Sequence, residues 1–318
     1  MLPDSPLMLP EAARRWVCDV TGAALVEAAD LPGATSSRVF LLGFDDGTHL
    51  VLRLHTNDDW LALEPDLATR EAHTLRALSS STIVAPALVA VDEAGGFCGR
   101  PAVLMSHLRG RADFSDASPA RLRALAAAIR PLHALAPPSD LPRFQPYLSA
   151  AQRAVPAWTT IAATWQTAID ICALPAPAGP ACFIHRDFHP GNVLIEAASV
   201  SGIVDWPNAC IGPPEIDVAH CKINLAITHG LDAATRFGAE FGAGFGAGFG
   251  AGFGNDPKRQ AYWDLIDCLD MFENGQSPDV SGIDALHALG APQLTTALIN
   301  DRYDEYVTDA VHRWRAAG

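Results

Sequence analysis

The stretch F-I-H-R-D-F-H-P-G-N-V-L-I, residues 183 to 195, gathers His185, Asp187, His189 and Asn192 between two apolar, strand-like runs. Thirteen positions beyond Asn192, Asp205 stands in another such run, G-I-V-D-W. Two kinds of chemistry use residues of these types. His185, Asp187 and His189 at alternate positions would share one face of a strand and could hold zinc or iron, as in a metallohydrolase. That reading leaves Pro190, Gly191 and Asn192 without a role and says nothing of G-I-V-D-W. Phosphoryl transfer asks for more: a carboxylate to take the acceptor's hydroxyl proton, oxygen ligands for Mg2+, and a cation on the phosphates. Asp187 suits the first demand, and Asn192 and Asp205 suit the second.

These residues need elements to hold them. Pro10 to Val20 opens with Pro at a first helical position and sets Ala13, Trp16, Val17 and Val20 on one side, which predicts an amphipathic helix. Strands are predicted over Ala24 to Ala28, Arg38 to Phe44 and His49 to His55, the last two joined by the hairpin signal D-D-G. A helix over Ala68 to Leu78 follows, then strands over Pro86 to Val91 and Pro101 to His107. From Ser118 onward Ala and Leu recur at helical spacing. Further helices are predicted over Gln145 to Ile171, Pro214 to His229, Lys258 to Phe272 and Pro292 to Ala316.

The tract Phe237 to Gly254 repeats F-G-A-G, with Phe every fourth residue. A helix would gather these rings in one stripe against the cost of eight glycines, at about 1 kcal/mol each relative to Ala. A strand would set Phe and Ala on one face and every Gly on the other. The tract reads as a low-complexity insert within a helix, without chemistry of its own; a lid or an oligomer contact is the alternative.

Bulk properties narrow the partners. A chain of 318 residues, 49% hydrophobic, can bury a sizeable core, and a formal charge of −14 without any basic run argues against nucleic acid. The seven cysteines are scattered without a C-x-x-C pair, as expected of reduced core residues. No basic leader and no run of about 18 apolar residues occurs, so the expected location is the cytoplasm, with no membrane partner.

The spacing of Asp187, Asn192 and Asp205 resembles the protein-kinase catalytic loop H-R-D-x-x-x-x-N with its metal-binding Asp. More closely, H-R-D-F-H-P-G-N-V-L followed by G-I-V-D-W resembles the aminoglycoside phosphotransferase family, kinase-like enzymes that phosphorylate small molecules. The resemblance runs from about Ala24 to about Phe272. It implies an α+β, bilobal protein-kinase-like fold. An antiparallel-sheet nucleotide lobe with one main helix would span 1–105, a hinge 106–109, and a larger, mainly helical catalytic and acceptor-binding lobe 110–318, with 237–254 as an insert.

By the same resemblance, Asp187 is the catalytic base, Asn192 and Asp205 hold Mg2+, and ATP or GTP is the phosphate donor. Arg53 in V-L-R-L-H takes the place of the usual phosphate-binding Lys, with Glu71 as its partner from the following helix. Ser36 and Ser37 in L-P-G-A-T-S-S would offer amides or hydroxyls to phosphates, and the backbone of Ser106 and Leu108 would meet the adenine edge with Met105 behind it. His185 and His189 are expected to be structural, and Asp217 in E-I-D-V-A-H to brace the loop. Arg186 stands where small-molecule kinases often have Gly.

The acceptor is expected to be a small-molecule hydroxyl. An aminoglycoside-like antibiotic would suit the negative charge, above all Asp301, Asp304 and Glu305 of D-R-Y-D-E-Y. Rival readings are a metabolite kinase of the choline, homoserine or sugar-amine type, and a nucleotide-binding pseudokinase without transferase activity. A protein kinase is disfavoured. Only twelve positions separate Asp205 from Asp217, too few for a long activation segment, and no A-P-E follows.

Overall fold

The structure is a computed structural model that describes residues 9–31, 37–243, 256–273, 275–276 and 280–317. The chain divides into two compact units, 1–109 with 202–208, and 110–201 with 209–318. The boundary expected from the sequence left 202–208 in the second unit; the structure groups it, Asp205 included, with the first.

In the first unit, α1 (Glu11–Thr21) precedes β1 (Leu25–Leu31), β2 (Ser37–Phe44) and β3 (His49–His55). A short α2 (Asp58–Leu63) and then α3 (Leu67–Leu78) lead to β4 (Leu88–Asp92) and β5 (Ala102–Ser106). The five strands form one antiparallel sheet in the order β1-β2-β3-β5-β4. Its β2–β3 hairpin turns through Gly47 at φ 83, a conformation open to glycine at no steric cost. The two-residue period of β3 sends Leu50, Leu52 and Leu54 into a core with Trp16, Val17, Phe40, Leu42 and Leu104. Arg53 and His55, of opposite parity, are buried as well. Helix α3 packs beside β4 and β5 and carries Glu71, which is wholly buried.

The second unit is mainly helical: α4 (Pro119–Ala134), α5 (Ala162–Cys172), α6 (Glu215–His229), α7 (Leu231–Ala243), α8 (Pro257–Asp270), α9 (Val280–Ala288) and α10 (Thr296–Ala316). Helix starts follow the sequence signals. The Ser118 hydroxyl caps α4 before Pro119, and the Asp256 carboxylate caps α8 before Pro257. Helix α6 is buried along most of its length and packs against α7, α8 and α10. Two small ladders complete the fold: β6 (Cys182–Ile184) pairs with β9 (Cys210–Gly212), and β7 (Val193–Glu196) pairs with β8 (Ser199–Ile203).

The helix expected from Gln145 to Ile171 forms only over its last third, as α5. Pro146 and Pro156 interrupt it, and carboxylates from other helices take up the freed backbone. Asp270 accepts the Tyr147 and Leu148 N–H groups, and Asp304 accepts the Thr160 N–H. Of the repeat tract, Phe237 to Ala243 is helical, with Phe237 and Phe241 buried and their rings 6.4 Å apart; residues 244–254 lie outside the described residues. All seven cysteines are free, and six are buried. Among the described residues no helix is long and apolar enough to cross a membrane.

Candidate active site

In the first unit Arg53 is the joint of a charged cluster. Its Nε lies 3.2 Å from Glu71 Oε2 and its Nη1 3.1 Å from Asp205 Oδ1. Nη1 also donates to Ser37 Oγ at 3.1 Å, and that hydroxyl keeps its own hydrogen to donate. The fork of a guanidinium makes this possible, since it directs donors along several fixed lines where an ammonium is a single point. Burial raises the Glu71 carboxyl to about 7, against the pull of Arg53, while the Asp205 charge adds to the rise and the Trp206 N–H opposes it. Asp205 sits at φ 70, a left-handed backbone that non-glycine residues seldom adopt.

The remaining nucleotide-edge residues divide. Ser36 lies outside the described residues. Met105 is buried, and Ser106 is tied to Ala87 through both its N–H and its Oγ, each at 2.8 Å. The Ser106 N–H is therefore not on offer to a base. Leu108 takes part in no backbone–backbone turn or loop hydrogen bond among the described residues.

In the second unit the loop between β6 and β7 is fixed from below by Asp217. This carboxylate is fully buried on the first turn of α6. It accepts the N–H groups of His185 and Arg186 at 3.0 and 2.7 Å and faces His133 Nε2 at 2.8 Å. Arg186 is held at φ 70, which accounts for the glycine preference at such a position; its guanidinium stacks 3.9 Å over the Tyr147 ring. His185 Nδ1 accepts the Asp187 N–H at 3.3 Å. Asn192 Nδ2 closes the loop, donating to the Asp187 carbonyl at 2.9 Å and to Asp187 Oδ2 at 3.2 Å.

Asp187 presents a half-buried carboxylate at the head of this loop. Burial pushes its carboxyl up, but the hydrogen bond from His220 and the electrostatic pull of the surrounding imidazoles outweigh it and hold it well below the usual range. His220 Nε2 lies 3.0 Å from Asp187 Oδ1, and the ring's Nδ1 lies 3.1 Å from Asp267 Oδ1 on α8. Burial works against protonation of His220, yet Asp267 and Asp187 raise it well above the ordinary imidazole value.

Neither His220 nor Asp267 stands out in the sequence. The available signal was spacing: His220 follows Asp217 by three residues and so shares its side of α6.

Asp187, His189 and His220 lie close enough to hold a metal ion, their nearest ligand atoms being within 4.8 Å of one another. The hydrogen bonds favour a different use. His189 Nδ1 accepts the Gly191 N–H at 3.2 Å, so the ring proton sits on Nε2, the nitrogen facing Asp187. Burial lowers His189 to about 4, keeping the ring neutral. A Cβ at Gly191 would lie 2.5 Å from His189 Cε1, so only glycine lets the imidazole close over the turn. The His185, Asp187, His189 metal face considered from sequence does not form, because His185 is fully buried and turned to the Asp187 backbone.

Asp304 was expected among carboxylates facing a cationic acceptor. It is instead saturated by Thr159 Oγ1, Thr160 N, Thr160 Oγ1 and Trp165 Nε1. Asp301 and Glu305 are exposed.

Comparison with known proteins gives this geometry a family. The model of the phosphotransferase enzyme family (APH) matches residues 27–263. The homoserine kinase of Beijerinckia indica subsp. indica is 33% identical over 141 residues, covering 40% of this chain, and the chain spans 42% of the length of that relative. A thermostable mutant of aminoglycoside phosphotransferase APH(4)-Ia, solved with AMP-PNP and hygromycin B, superposes with a TM-score of 0.61 at 18% identity, covering 93% of this chain and 98% of the other. Macrolide 2'-phosphotransferase MphH from Brachybacterium faecium gives 0.53 at 15% identity, covering 93% and 96%. At these identities the structural likeness is one of fold: a mixed architecture of kinase-like type, with an antiparallel N-terminal sheet and a helical remainder. The extent of the family match settles membership, and the chain belongs to the phosphotransferase enzyme family.

Proposed function

We propose that the protein transfers the γ-phosphate of ATP or GTP to a hydroxyl of a small molecule. The observation that carries this reading is the state of Asp187, an accessible carboxylate on a braced loop, tied to Asn192 five residues on. The acceptor oxygen attacks the γ-phosphorus, the bond from phosphorus to the β,γ-bridging oxygen breaks, and the hydroxyl proton passes to Asp187. The products are a phosphate ester and a nucleoside diphosphate. Arg53, oriented by Glu71, would meet the nucleotide phosphates, and Leu108 would offer its backbone to the adenine edge.

The donor set suits Mg2+. Asn192 spends its Nδ2 on Asp187, which leaves Oδ1 as a ligand atom, and Asp205 Oδ2 accepts no hydrogen bond among the described residues. Bound there, Mg2+ would neutralise charge on the transferring phosphate. Asn192 and Asp205 would hold it, while the chain's own groups orient the acceptor and take up its proton.

Two acceptor classes stand. Structural neighbours that act on aminoglycosides and macrolides support an antibiotic-like polyol. The homoserine kinase relative, together with the engagement of Asp304 in the fold, supports a smaller amino alcohol. The test is turnover of nucleotide with Mg2+ against aminoglycosides, macrolides, choline and homoserine, with phosphorylated product detected by mass, beside Asp187→Asn. Product from the native chain that is lost in the variant supports the reading. Nucleotide binding without product from any acceptor favours the pseudokinase alternative.

A further inference from the structure

His220 has a carboxylate oxygen at each ring nitrogen: Asp187 Oδ1 at 3.0 Å from Nε2 and Asp267 Oδ1 at 3.1 Å from Nδ1. An imidazole donates through both nitrogens only as imidazolium. Two members of this line stand on packed helices, the central His220 on α6 and Asp267 on α8. The loop member, Asp187, meets a donor on each of its oxygens, His220 on Oδ1 and Asn192 on Oδ2. A lone carboxylate turns readily about its terminal torsion. Two donors on opposite oxygens remove that freedom and leave one lone pair on each oxygen open. His189 does not duplicate the contact, since its Nε2 lies 3.8 Å from Oδ1 and its Nδ1 is held by Gly191.

We propose that His220, oriented by Asp267, is a positioning residue of the transfer reaction that fixes the plane of the Asp187 carboxylate against the acceptor hydroxyl. The inference rests on the phosphotransfer reading and adds to it two residues from outside the catalytic loop. Its physical basis is the steep dependence of such reactions on alignment, where a misplacement of about 1 Å costs on the order of a hundredfold. A neutral ring could not serve both carboxylates. It would turn one lone pair toward an anion and release Asp187 on that side.

Two measurements on the full chain test this. Ring-nitrogen NMR of the native protein at pH 7.5 is expected to show His220 protonated at both nitrogens, and Asp267→Asn to shift its titration downward. In the transfer assay His220→Gly is expected to lower kcat by about 10- to 100-fold with the nucleotide KM within about twofold, and added imidazole to restore part of the rate. Asp267→Asn, which keeps the shape of the site, is expected to lower kcat by a smaller factor in the same pattern. A neutral His220 ring in the native protein overturns the proposal. So does an unchanged kcat in both variants, or a kcat loss matched by an equal rise in nucleotide KM. Failure of the phosphotransfer reading would look different: the native chain would yield no product with any acceptor, while the NMR would still show the doubly protonated ring.

Discussion

Arg53 Nη1 lies 3.1 Å from Asp205 Oδ1, so a cation on the third strand of the sheet meets the carboxylate of the D-W turn directly. The same guanidinium reaches Glu71 through Nε, which makes it a bridge between strand, helix and turn. A lysine at this position would have to choose. Arg53→Lys is therefore expected to hold most of the stability while raising the nucleotide KM several-fold. Arg53→Ala, which strands the fully buried Glu71, should cost about 3–5 kcal/mol. Urea unfolding and initial-rate kinetics read the two effects, and equal behaviour of Lys and Arg in both would show the fork to be dispensable.

The fully buried Asp217 accepts two loop N–H groups and faces the buried His133. Removing the carboxylate leaves buried donors unpaired, each at a cost of about 1–3 kcal/mol. Asp217→Ala is expected to lower stability by at least ~3 kcal/mol and to depress kcat more than it changes nucleotide affinity. Denaturant unfolding and nucleotide titration check this, and a variant with native kcat would remove the loop brace from the account.

Arg186 sits at φ 70 and stacks on Tyr147. Left-handed backbone costs a non-glycine residue about 1–2 kcal/mol, and a partly exposed stack returns roughly 0.5–1 kcal/mol. Arg186→Gly should fall within about 1 kcal/mol of the native stability, whereas the β-branched Arg186→Val should be clearly destabilised. Thermal unfolding of the pair decides, and an equal loss in both would put the weight on the side chain instead of the backbone.

His55 is buried in the first unit, and burial followed by the charges of Arg53 and Arg70 lowers it to about 3. The unfolded chain takes up this proton near pH 6.5 and the folded chain does not. The stability associated with the neutral ring is thus full above pH 6.5 and is lost as pH falls toward 3, by up to about 1.4 kcal/mol per pH unit. His55→Leu should flatten that part of the stability curve relative to the native protein. Parallel curves between pH 6.5 and 4 would show that His55 does not set the slope.

Asp304 accepts four hydrogen bonds from Thr159, Thr160 and Trp165, although its sequence context suggests a surface carboxylate. Asp304→Ala should cost roughly 2–4 kcal/mol without altering the acceptor KM. Changes at the exposed Asp301 and Glu305 should stay within about 0.5 kcal/mol in stability. A raised acceptor KM in the Asp304 variant at full stability would return this residue to the acceptor site.

The order of elements and the identity of the catalytic loop were legible in the sequence because both rest on local rules. Period-two alternation in β3, the D-D-G turn, and Ser or Asp followed by Pro at helix starts act over a few residues, and so does the spacing of Asp187 and Asn192 in one loop. What the tertiary structure alone decided are the partners brought from afar. Asp267 reaches Asp187 only through His220, because α6 and α8 pack together. Residues 202–208 join the first unit because the Trp206 N–H and the Asp205 carboxylate meet Glu71 and Arg53. Asp270 and Asp304 hold in irregular form a segment whose composition suggested a helix. A carboxylate has no periodicity, so whether it serves as solvated surface, helix-to-loop anchor or reactive group depends on which donors the packing turns toward it.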